Sequence, residues 1–206
     1  VYGKLGDWQG LLKLAPDLKS AGLPAETINA YEEQACCEML RAAGKPPAKS
    51  LAECWRQLPS GLRKRGSVVR CYAEQLISAG WLDDADTLLR GQLNRDYDSA
   101  LVRLHRSALF DDPTKQLPFF EKLQKTHPDD PELLLTLADA HLRLDSLEQA
   151  KLYIEQSIAV EARPASYAKL AHLYAREGNF EKSTALFAKS YAAVSYTHLR
   201  AHETSI

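Results

Sequence analysis

Two stretches of this chain repeat one another at an interval of 33 residues. Leu137-Ala138 returns as Leu170-Ala171, His141 as Tyr174, Leu147 as Phe180, Ala150 as Ser183 and Ile154 as Phe187, while Pro131 and Pro164 open the two units. A self-match of this period predicts a tandem pair of helices per unit, because one such pair leaves an apolar face that only a neighbouring pair can cover. The Leu-small dipeptide explains the interlock. Its leucine enters the core, and its small partner lets the second helix approach closely at Ala150 or Ser183.

Position by position the units resemble the tetratricopeptide repeat, whose pattern is a large apolar residue, Leu-small, an aromatic, a turn glycine, a small residue and a final aromatic. Tyr167, Leu170, Ala171, Tyr174, Gly178, Phe180 and Phe187 occupy most of it. The fold class expected is therefore all-α, a tetratricopeptide-like right-handed superhelix of antiparallel helix pairs spanning residues 1–194, with its clearest repeats at 131–163 and 164–193.

Earlier segments carry weaker copies. Asp7 is a good N-cap for a helix over 7–20, with Trp8, Leu11, Leu12 and Leu18 at helical spacing. Pro24 opens a helix over about 25–43 that Gly44 ends, and a shorter helix follows over about 50–58 before Pro59-Ser60-Gly61. In the next unit Tyr72-Ala73, Leu76, Gly80, Leu82, Ala85 and Leu89 fill the repeat positions. Leu101, Leu104 and Ala108, then Leu117, Phe120 and Leu123, suit two helices of a degenerate unit broken near Asp111-Asp112-Pro113. Thr126–Pro131 reads as a tight turn. Helices are expected at about 132–144, 147–161, 165–177 and 180–193. Residues 195–206 look like a translated library adapter, so that tail is excluded from function, including the His198 and His202 pair that imitates a helical metal site.

A formal net charge of -1 offers no global field for nucleic acid or an anionic membrane. No stretch approaches the roughly 18 apolar residues of a membrane helix. Cys36, Cys37, Cys54 and Cys71 form no C-x-x-C pair and suggest neither a disulfide framework nor a zinc set, so a reducing compartment is expected.

No nucleophile motif, phosphate loop or carboxylate pair stands in a catalytic context, and catalytic, cofactor-binding and metal residues are expected to be none. His127, His141, His172, Cys36 and Cys37 are the available haem-ligand types, but His141 takes the aromatic packing position and His127 lies in a turn. Arg63-Lys64-Arg65 with Arg70 is the basic run, which reads first as solvated surface. Trp8, Trp55 and Trp81 are expected at helix-pair junctions. A concave face would present residues one turn along each first helix: Arg70 and Glu74, Asp139 and Arg143, His172 and Arg176. Their mixed signs point to a protein or peptide partner and away from nucleic acid.

Leu51-Ala-Glu-Cys-Trp55-Arg-Gln-Leu58-Pro59, Ala73-Glu-Gln-Leu76-Ile77 and Ala85-Asp-Thr-Leu88-Leu89-Arg90 follow one another in an order that resembles the repeat region of the proteobacterial HemY family. Tyr2–Trp8, Leu11-Leu12 and Tyr31–Ala35 are similar to its preceding helices. The resemblance implies a non-catalytic scaffold on the cytoplasmic face of the bacterial inner membrane, tethered by an N-terminal anchor missing from this sequence. Its implied partners are proteins, haem-biosynthesis enzymes among them. An unrelated flavin-dependent oxidase shares the family's name, but Gly3, Gly6 and Gly10 do not fit its G-x-G-x-x-G fingerprint. The alternatives are a tetrapyrrole-binding module and a repeat adaptor unrelated to haem.

Overall fold

The computed structural model describes residues 7–46, 48–108 and 112–203, and side chains as far as 193. The tail expected at 195–206 thus has no described side chain. Among the described residues the chain is all-helical with no strand. Its elements are α1 (Trp8–Ser20), α2 (Ala25–Ala43), α3 (Leu51–Gln57), a 3₁₀ turn (Leu62–Lys64), α4 (Gly66–Ser78), α5 (Leu82–Arg95), α6 (Ser99–Ser107), α7 (Pro113–Thr126), α8 (Pro131–Arg143), α9 (Leu147–Val160), α10 (Pro164–Arg176) and α11 (Phe180–Glu203). The expected boundaries hold to within a residue or two, except that α11 continues to Glu203. Contacts divide the chain into two compact units, Val1–Phe110 and Asp111–Ile206.

Helix starts are fixed by side chains that accept otherwise orphaned N–H groups. Asp7 accepts from Gly10 N at 2.9 Å, Asp98 from Ala100 N at 2.8 Å, Asp112 from Thr114 N at 3.0 Å and Asp130 from Leu133 N at 2.9 Å. Proline occupies the first turn of α7, α8 and α10, where its missing N–H costs nothing.

Helix ends share one device. Gly22, Gly80, Asp145 and Gly178 all have positive φ, at 81°, 77°, 56° and 77°. The residue after each donates back five positions: Leu23 N to Leu18 O, Trp81 N to Leu76 O, Ser146 N to His141 O and Asn179 N to Tyr174 O, at 2.8–3.2 Å. This is the Schellman motif, an αL residue followed by a six-to-one hydrogen bond. Asp145 occupies the position that glycine takes at Gly178, so the period survives a residue with a strained backbone.

In the second unit, Leu135, Ala138, Ala150, Ile154, Leu170 and Leu173 form one buried cluster, with Leu142, Leu147, Ile158, Tyr174 and Leu186 packed against it. Leu134, Leu137 and Ala140 are also buried, so α8 is apolar on several faces. The repeat is written in polar contacts too. Ser157 Oγ donates to Pro131 O at 3.2 Å, and Ser190 Oγ donates to Pro164 O at 2.9 Å, one period later. Each bond ties the second helix of a pair to the start of its first.

In the first unit α2 packs on α4 and α4 on α6, as successive first helices of a stack. Here the expectation about the cysteines fails. Cys37 of α2 and Cys71 of α4 form a disulfide across 34 residues, with Cα atoms 5.5 Å apart. Neither local spacing nor a paired motif signals it, because the contact arises from the register between two helices one repeat apart. A disulfide persists in an oxidising environment, which runs against the reducing compartment expected. Cys36 stays a buried thiol, and its pKa is pushed up to about 12 by burial, with Glu32 adding to the effect.

Two outcomes follow from these features. Gly178→Ala is expected to lower the unfolding free energy by about 1 kcal/mol, and Gly178→Asn by less, since asparagine tolerates the αL region; urea titration of the two variants checks the order. Reduction, or the paired change of Cys37 and Cys71 to serine, is expected to cost about 2–4 kcal/mol. Melting curves with and without reductant should separate for the native chain and coincide for the serine variant.

Candidate interaction surface

Arg70 and Glu74 lie one turn apart on α4, with Arg70 Nε 3.9 Å from Glu74 Oε1. Both are about half exposed, so the pair contributes little to stability and stays accessible.

In the second unit two of the other four residues, Asp139 and Arg176, each pair with a residue of the neighbouring repeat. Lys169 of α10 donates to Asp139 of α8 at 2.6 Å, and Arg176 Nη2 donates to Asp145 Oδ1 at 3.1 Å. The sequence reading missed Lys169 and Asp145. They stand 30 and 31 residues from their partners, nearly one repeat away, and that near-period is the signal that could have found them. His172 is exposed, its ring meeting the edge of Phe187 at 5.1 Å, and Arg143 is exposed one turn beyond Asp139. The arrangement is an array of alternating charges that bridges two repeats at exposed or half-buried positions. It can offer paired donors and acceptors to a polypeptide, and it sets no nucleophile beside a base.

The basic run does not act as one patch. Arg65 donates to Glu32 at 3.0 Å, to Asn29 Oδ1 at 2.9 Å and to Glu33 at 3.4 Å, while Ser67 donates to Glu33 at 2.6 Å. That cluster bolts the start of α4 to α2. Arg163 makes the equivalent bolt in the second unit, with hydrogen bonds of 2.5 Å to buried Glu132 and to Glu161. Trp55 stacks on Tyr72 of the next helix with ring centroids 4.2 Å apart, a packing place between helices, and His141 stacks on Tyr153 at 5.5 Å, as its aromatic position in the repeat requires. Among the described residues no group of three or more His, Cys, Asp or Glu side chains could hold a metal ion. No described helix is long and apolar enough to cross a membrane.

Electrostatics single out one buried pair in the first unit. His105 Nε2 sits 2.6 Å from Asp86 Oδ1, and its side chain is 1 % exposed. Burial holds the imidazole pKa below its ordinary value, although the hydrogen bond and charge of Asp86 pull the other way. Burial would raise Asp86, but hydrogen bonds and charge from His105 and Arg90 outweigh it, and that carboxyl lies below its usual range.

The chain matches the family described as "Tetratricopeptide repeat" over residues 131–163. No curated protein sequence matches it. Among solved structures it is similar to MamA, with 12 % identity, 79 % of this chain and 96 % of that chain covered, and a TM-score of 0.57. MamA from Desulfovibrio magneticus RS-1 gives 14 % identity, 78 % and 96 % coverage and a TM-score of 0.55. TTC0263, a thermophilic tetratricopeptide-repeat protein of Thermus thermophilus, gives 17 % identity over 96 % of this chain and 97 % of that one, with a TM-score of 0.57. At these identities the likeness is one of fold.

His105 binds fewer protons folded than unfolded in mild acid, so its contribution is complete above the unfolded imidazole pKa of about 6.5 and is lost as pH falls below it, whereas that of Asp86 is lost only below about pH 4. Urea midpoints for the native chain are expected to drop between pH 7 and pH 5, and His105→Gln should flatten that slope.

Proposed function

We propose that this chain is a protein-interaction scaffold whose polar array on α8 and α10 receives a polypeptide partner. The observation that carries this reading is the pair of cross-repeat contacts, Lys169 to Asp139 and Arg176 to Asp145, which hold charged side chains in fixed register at accessible positions. A partner segment laid across both repeats can exchange these contacts for its own, and the mixed signs favour a chain carrying both charges. Arg70 and Glu74 extend the same chemistry to the first unit, where their long 3.9 Å contact leaves both free to re-pair.

The finer reading is HemY-like: a scaffold for haem or porphyrin biosynthesis at the bacterial inner membrane. The order of Leu51–Pro59, Ala73–Ile77 and Ala85–Arg90 along the chain supports it. The Cys37–Cys71 disulfide weighs against the cytoplasmic side of that membrane and in favour of an oxidising one.

A bacterial lysate passed over the immobilised chain tests the array. Arg143→Ala with Arg176→Ala is expected to keep the native melting curve, since both residues are exposed, and to lose the captured protein. Capture undiminished by the double change would remove these helices from the binding surface.

A further inference from the structure

A cleft of about 420 Å³ opens between α3, the 3₁₀ turn, α4 and α5. Arg63, Lys64 and Arg95 line it, and no carboxylate does. Among the described residues none of the three has a carboxylate within ion-pair distance. Two N–H groups of the lining are both buried and without a hydrogen-bond partner: Arg63 Nε and Gln92 Nε2. Gln92 is only 2 % exposed. Its amide orientation is fixed, because Arg95 Nη2 donates to its Oε1, which leaves the NH₂ side unmatched. Arg95 Nη2 also donates to Lys64 O at 3.1 Å, which holds the guanidinium over the cleft. Buried donors without acceptors are costly, and three cations gathered without an anion repel one another. A single acceptor carrying negative charge would relieve both.

The remaining walls are apolar. Trp55, held by its stack on Tyr72, and Leu88 stand on the same cleft. Gly91 faces it from α5, and a Cβ built there meets nothing within 4 Å.

We propose that this cleft binds a small organic anion. A phosphate or carboxylate head is received by Arg63, Arg95 and Gln92, and an apolar body lies against Trp55 and Leu88. The site is separate from the array on α8 and α10, and its occupancy does not depend on the scaffold reading.

The test uses the full chain, with the Trp55 indole N–H resonance assigned by Trp55→Phe and followed during titration. Phenyl phosphate and benzoate are the probes, inorganic phosphate the bare-ion control and benzyl alcohol the neutral one. One of the two aromatic anions is expected to shift the resonance saturably, and the one that does so identifies the head group. Arg95→Gln and Gln92→Met should each weaken it about tenfold, the scale of one charge-assisted hydrogen bond. Gly91→Leu should abolish the shift while leaving the melting temperature no lower, since it fills open space and removes a glycine from a helix. The proposal falls if neither aromatic anion saturates at millimolar concentration, or if inorganic phosphate binds as tightly as phenyl phosphate, which would mean an adventitious ion only. It also falls if Gly91→Leu binds as well as the native chain.

Discussion

Everything in this fold depends on pairs of small residues that let two helices touch. Ala73 and Ala85, Ala138 and Ala150, and Ala171 and Ser183 stand at the same separation of twelve along the chain, and all six are buried, five of them at 0 % exposure. A larger side chain at any of them would hold its two helices apart and expose the leucines on either side. Close approach brings Leu135 and Ile154 into a shared core, and it shortens the turn between the helices. Only a sharp reversal spans so small a gap, which is why the αL residue recurs seven positions after the first member of each pair.

The polar contacts inherit that geometry. Once the helices are set at fixed spacing, side chains about one repeat apart fall opposite one another, and the chain uses this at every level. Ser157 and Ser190 fasten second helices to the first turns of their own pairs, Arg65 and Arg163 fasten one pair to the next, and Lys169 and Arg176 extend the pattern to the exposed side. The basic turn before α4 shows how one stretch can serve two purposes. Arg65 is consumed by the carboxylates of α2, while Arg63 and Lys64, just before it in the chain, face a cleft that contains none.

Much of this was legible in the sequence, for reasons tied to particular residues. Leu137-Ala138 and Leu170-Ala171 announce helix pairs because burial and close approach depend on side-chain size, which a sequence states directly. Gly80 and Gly178 mark turns because backbone sterics are local. The cysteine pairing was not legible, since residues 37 and 71 meet only through the relative rotation of α2 and α4. The partners of Asp139 and Arg176 were missed for the same cause, and so was the division of the basic run between a structural latch and an open cleft. Interactions within one helix or turn can be read from spacing, whereas those between helices depend on a register that spacing leaves undetermined.

The bond between Cys37 and Cys71 also changes how the first unit answers a pull. Tension applied through the backbone on either side passes through two sulfur atoms instead of through the chain between them, a sequence separation of 34. At about 3.5 Å per residue, more than 100 Å of contour is withheld from extension. The end of α2, all of α3 and the start of α4 then lengthen only after the thiols are regenerated, so a reductant sets the mechanical reach of this part of the molecule.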